Sequence, residues 1–93
     1  MRLGTIKQQP DERLSYSIGY ADVLQDDDTL ETVDVTVDPA GELTIDAFGN
    51  TTTDVHLWAT GGVDKSKYKV EVTVTTVAGR VYQDELIFVI REI

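Results

Sequence analysis

The chain has 93 residues, with 17 acidic and 8 basic side chains and a net charge of −9. This lacks the basic runs with which nucleic-acid binders neutralise phosphates, and it disfavours an anionic membrane surface. No cysteine and a single histidine exclude disulfides, thiol nucleophiles and thiolate metal sites, and leave a zinc site poorly supplied.

The charge is uneven. Residues 1–56 hold three basic and twelve acidic residues, whereas residues 57–93 hold five of each. An excess of one sign keeps a chain soluble and self-avoiding, and it also suits an acidic face for a basic partner. Hydrophobic content is 41%, ordinary for one globular domain with a modest core. No apolar stretch approaches the ~20 residues of a membrane span. Met1–Lys7 lacks the apolar run of a signal peptide.

Residues 1–13 show no period and are expected to form a flexible arm or an edge lead-in; Pro10 lacks a ladder donor and suits either. A single domain is expected over residues 14–93. Leu14, Tyr16, Ile18 and Tyr20 alternate with small residues, which predicts a half-buried strand. Val23-Leu24 then reads as an apolar anchor, followed by an acidic loop at Asp26-Asp27-Asp28 with room for one helical turn. Thr29–Asp38 predicts a strand with Val33, Val35 and Val37 inward. Pro39–Glu42 is a turn, with proline favoured at its second position.

Leu43–Ala47 predicts a short strand with Leu43, Ile45 and Ala47 inward, and Phe48-Gly49-Asn50 a second turn. Thr52–Thr60 predicts a strand with Val55, Leu57 and Ala59 on one face and His56 and Trp58 on the other. After the Gly61–Ser66 loop, Tyr68, Val70, Val72 and Val74 alternate with polar residues. Ala78-Gly79 then turns the chain into a second arm, Val81–Ile90, so that the two arms form a hairpin. No helical period persists. Several short strands separated by turn signals predict an all-β sandwich or barrel.

Candidate chemistry is sparse. His56 has no local partner, and Ser15, Ser17 and Ser66 sit in no nucleophile elbow. Asp26–Asp28 is the best metal candidate, because calcium takes six to eight oxygens. Three adjacent aspartates cannot all turn toward one ion in an extended chain, so a solvated loop is favoured. An Asx-type turn, with Asp28 accepting from the backbone at Leu30 or Glu31, is a simpler role. Gly61-Gly62 lacks the lysine and helix of a phosphate loop. Asp84 and Glu85 point to opposite faces of a strand and cannot form an acid–base dyad. No catalytic, cofactor-binding or metal-ligating residue is assigned.

Two ambiguities bear on partners. Outward, Trp58 would mark an interface or a sugar-stacking platform. In the reverse register it would be the core aromatic, which is favoured because small sandwich cores usually centre on one large aromatic. Leu86-Ile87-Phe88-Val89-Ile90 is apolar on both faces. It is either a central strand covered twice or a strand with one face awaiting a partner.

Leu57, Gly61-Gly62 and Tyr68-x-Val70-x-Val72 resemble the corner of immunoglobulin-like and fibronectin type III domains. There a tyrosine hydroxyl bonds to backbone a few residues upstream, so Tyr68 is expected to be such a corner tyrosine. The fold expected is an antiparallel sandwich of about seven strands. Over residues 8–92 the chain also resembles small virion-structure proteins of tailed bacteriophages and prophages. That resemblance rests on Tyr16–Tyr20, Leu24, Asp28-Thr29-Leu30, Leu57-Trp58, Gly61-Gly62, Tyr68-Lys69-Val70, Thr75–Arg80 and Asp84. It implies a non-enzymatic component of the head, neck or tail. It implies other virion proteins as partners, copies of itself among them, while the charge balance argues against nucleic acid and membrane. The protein would be made in the host bacterial cytoplasm and then join the virion. A carbohydrate-binding module using Trp58 and the acidic loop is the alternative.

Overall fold

Valine and threonine dominate the alternating stretches, and their branched side chains pack well on a pleated surface. The computed structural model describes residues 2–92. It contains seven strands: β1 (Arg2–Gln8), β2 (Arg13–Gly19), β3 (Leu30–Asp38), β4 (Leu43–Asn50), β5 (Asp54–Gly61), β6 (Ser66–Thr76) and β7 (Val81–Ile90). There is no helix among the described residues. The strands form two sheets, ordered β1-β7-β6-β3 and β2-β5-β4. All neighbours are antiparallel except β1 and β7.

The inner faces of the two sheets make one core. Strand β6 contributes Tyr68, Val70, Val72 and Val74, β7 contributes Leu86, Phe88 and Ile90, and β5 contributes Val55, Leu57 and Ala59. Val33, Val35 and Val37 pack against this core from β3, as the alternation predicts. Tyr16 meets the Phe88 ring edge-on at 5.5 Å between centroids. The large aromatics at the centre are therefore Phe88 and Tyr68, both at most 1% exposed. Trp58 is 36% exposed and faces outward, so the expectation that it fills the core is overturned. A slip of one residue in β5 would bury Trp58 and His56 while sending Val55, Leu57 and Ala59 into water.

Residues 2–8, expected to belong to a flexible arm or an edge lead-in, form the edge strand β1, laid parallel against β7 with Ile6 beside Phe88 and Gln8 beside Ile90. Gln8 explains why the segment stays. Its side chain is 2% exposed. Its amide donates to the carbonyls of Glu12 and Ala59, both at 2.9 Å, and its oxygen accepts from the Tyr16 hydroxyl at 2.6 Å. With β1 in place, β7 is an interior strand. Leu86, Phe88 and Ile90 face the core, while Ile87 and Val89 lie half-buried on the outer face.

Strand β4 also departs from expectation. It continues through Phe48-Gly49-Asn50, where the sequence predicts a turn. The pairing with β5 shifts between Ile45 and Ala47. This bulge reverses the facing of the later β4 residues, so Ala47 is exposed rather than inward.

Tyr68 is a corner tyrosine. Its hydroxyl accepts from the Val63 amide at 2.8 Å and donates to the Glu42 carboxylate at 2.6 Å. The chain reaches Val63 through Gly61 and Gly62, with φ of 84° and 92°. A Cβ on Gly62 would lie 2.6 Å from Ile90 Cγ1, so a larger residue there meets both backbone strain and a clash. Replacing Tyr68 with Phe leaves the Val63 amide and Glu42 without the hydroxyl, a loss of about 1–3 kcal/mol. Thermal unfolding should show a fall in Tm of roughly 5–15 °C; an unchanged Tm would contradict the corner role.

Candidate interaction surfaces

The outer face of the three-stranded sheet carries Trp58 at its centre. Register sets Ser15 of β2 and Ala47 of β4 on either side of Trp58, and Ser17 and Gly49 on either side of His56. Four small neighbours leave two aromatic rings as the relief of an otherwise low surface. The His56 ring lies over the Gly49 backbone, where a Cβ would come within 3.1 Å of Nε2.

Arg13 completes the face. Its guanidinium carbon sits 4.4 Å from the centroid of the Trp58 ring, and its Nε donates to Asp46 at 2.7 Å. A cation over an exposed indole is worth about 0.5–1 kcal/mol, and an exposed ion pair about 0–1 kcal/mol. Both orient side chains more than they stabilise the fold. The sequence alone singles out neither Arg13 nor Asp46. Arg13 precedes Leu14 in the alternation, but its neighbour across the sheet is not visible until β2, β5 and β4 are paired. Ser17 stands opposite His56, yet among the described residues no hydrogen bond joins them, and no third group orients the ring as nucleophilic catalysis requires.

The outer face of the four-stranded sheet carries a different surface. Lys7, Val89 and Lys67 form one row across β1, β7 and β6, and Thr5, Ile87, Lys69 and Asp38 form the next. Three lysines thus surround two half-buried aliphatics in a strongly acidic chain. In the sequence Lys7 is sixty positions from Lys67; strand pairing brings it beside the Lys67 and Lys69 pair.

The acidic loop lies at the opposite end of β6, beside the β6–β7 turn, where the Val77 amide donates to the Thr29 carbonyl at 2.9 Å. Its three aspartates diverge. Asp26 and Asp27 are exposed with left-handed φ of 49° and 62°. Asp28 turns inward, its side chain 3% exposed. It accepts from the amides of Thr29 at 3.0 Å and Ala78 at 3.1 Å and from Arg80 at 2.9 Å. The expected partners Leu30 and Glu31 are not used. Among the described residues no three metal-binding side chains gather.

Hydrogen bonds from the Thr76 hydroxyl above all, then from Ala78, Arg80 and Thr29, hold the Asp28 carboxyl below its ordinary value against the opposing effect of desolvation. A carboxylate whose pKa is depressed by folding stabilises the fold above its unfolded value of about 3.9, and that contribution is lost as pH falls through the folded value. Asp28→Asn should therefore be less stable than the parent at pH 7. Urea unfolding at stepped pH should show the gap closing below about pH 4; a gap independent of pH would contradict the assignment.

No curated protein matches the chain significantly. A family model does match, over residues 8–89, described as the podophage GP4 fiber-tail adaptor protein gp77. The match begins at the buried Gln8, ends one residue before the last residue of β7, and takes in the Trp58 face, while Lys7 and the rest of β1 lie before it. The chain belongs to this fiber-tail adaptor family and is, as such, a structural component of a phage virion that acts through contacts with other proteins.

Proposed function

We propose that the chain is a non-enzymatic adaptor joining a tail fibre to the tail, and that its sandwich is of the immunoglobulin type. The strand order supports the second part. Sheets β2-β5-β4 and β7-β6-β3 correspond to the B-E-D and G-F-C sets of that fold, with β1 added at the edge and the corner tyrosine on β6. The protein is made in the host bacterial cytoplasm and is then built into the particle.

The observation that carries the adaptor reading is Trp58, held by Arg13 at the centre of a face of small side chains. Fully burying a large apolar side chain contributes about 1.5–3 kcal/mol, and exposed tryptophans are enriched among the residues that dominate protein interfaces. The fold leaves the exposed third of Trp58, and that part of the contribution, unused on one face, where a partner protein can take it up. One side of the indole carries a guanidinium, which suits a protein contact better than a sugar stacked on the ring.

Trp58→Ala, introduced into the phage, should reduce fibre content per particle, and the purified variant should bind its virion partner on the order of 10–100-fold more weakly. Its Tm should stay within a few degrees of the parent, since the ring lies outside the core. Full fibre content and unchanged affinity would overturn the reading. A glycan-induced change in Trp58 fluorescence together with unchanged protein binding would favour the carbohydrate-binding module instead.

A further inference from the structure

The two ends of the molecule are complementary. One carries the outward-facing Ile87 and Val89 among Lys7, Lys67 and Lys69. Among the described residues Lys7 and Lys67 form no ion pair, and Lys69 has only a 3.9 Å approach to Glu71. Asp38 lies at the edge of the patch, and Glu71 with Glu85 fill the next row of the sheet. The other end presents Val23, Val77 and Val81, exposed by 46%, 64% and 61%. These valines share one tip, because the Tyr82 hydroxyl reaches the Val23 carbonyl at 3.4 Å and Val77 is bonded to Thr29. Asp22, Asp26 and Asp27 rim that tip with carboxylates, all exposed. Arg80 does not cancel them, since it is engaged by Asp28.

We infer that copies of this chain associate head to tail, the acidic valine tip of one docking on the lysine-rimmed Ile87–Val89 face of the next. Aliphatic surface meets aliphatic surface while three aspartates approach three lysines. The second copy is the occupant because the chain itself carries a patch of matching charge and apolarity at its far end. The molecule measures 45 × 21 × 19 Å, and the two patches lie at opposite ends of β6. The contact is therefore heterologous, leaving the assembly one free patch at either end. It leaves the Trp58 face uncovered, so it goes beyond the adaptor reading and stands or falls separately from it.

Sedimentation velocity of the purified full chain over a concentration series, at low and high salt, tests this. The parent should self-associate, less so at high salt. Lys67→Glu with Lys69→Glu, or Asp22→Lys with Asp27→Lys, should each weaken association by roughly a hundredfold. Thermal unfolding of each variant shows that it is folded. An equimolar mixture of the two should associate again, because the reversed tip of one fits the reversed face of the other and the unreversed pair also match. A parent that stays monomeric at millimolar concentration would overturn the inference. So would association indifferent to both reversals, or a mixture that stays monomeric. Trp58→Ala should leave this association unchanged, which separates its failure from failure of the fibre contact.

Discussion

The Tyr68 hydroxyl is the constraint on which much of the structure rests. Tyr68 is among the largest fully buried side chains, and a core can use its ring only if the hydroxyl finds partners. Those partners come from two places far apart in sequence, the Val63 amide and the Glu42 carboxylate. The same turn is tied again where the Gly62 amide donates to the Glu42 carbonyl at 3.1 Å. Hence Gly61 and Gly62 are adjacent: the chain must pass Glu42, Ile90 and the Tyr68 ring more closely than a Cβ allows. Once that corner is closed, the start of β6 is fixed against β7, and Lys67 and Lys69 fall across from Val89 and Ile87.

Two further polar contacts tie the sheets to each other. Gln8 connects β1 to Ala59 and Tyr16 of the three-stranded sheet. Beyond the end of β2, the Tyr20 hydroxyl donates to the buried Asp84 of β7 at 2.8 Å. Burial first, then the hydrogen bond to Asp84 and its charge, push the Tyr20 pKa well up, so the hydroxyl stays a donor at any ordinary pH. Each such bond adds only about 1 kcal/mol net, but leaving a partner unsatisfied costs more. Their effect is to admit one alignment of the sheets and reject sliding. A virion component that acts through protein contacts gains from that rigidity, because surfaces that move relative to one another lose affinity in ordering.

The hairpin of β6 and β7, the β3 alternation and the bond between Tyr68 and Val63 were legible because each depends on neighbours within a few residues, whereas the Glu42 partner of Tyr68 lies twenty-six positions away. The features that were not legible depend on pairing between distant strands. Nothing local shows that residues 2–8 lie beside β7, since they pair with a strand near the other end of the sequence and Gln8 bonds to Ala59, fifty-one positions away. The extra residue in β4 has no glycine to announce it. At Trp58, the size of one ring is outweighed by the number of side chains on the opposite face. Burying it would expose two large aliphatics and an alanine at up to about 1.5–3 kcal/mol per large side chain, and would also desolvate His56. The gain from one indole does not offset that.

Strand parity thus divides the work. Inward positions on β5, β6 and β7 supply the stability, and their demands fix what points outward. On the three-stranded sheet they leave Trp58 in solvent, and the low relief of Ser15, Ser17, Ala47 and Gly49 lets a partner approach it. On the four-stranded sheet they leave Ile87 and Val89 within a frame of lysines. Because the core does not depend on these side chains, substitutions on either face can change what the protein binds without unfolding it. That separation lets a chain of 93 residues hold a small, fully committed core and still present two chemically distinct outer faces.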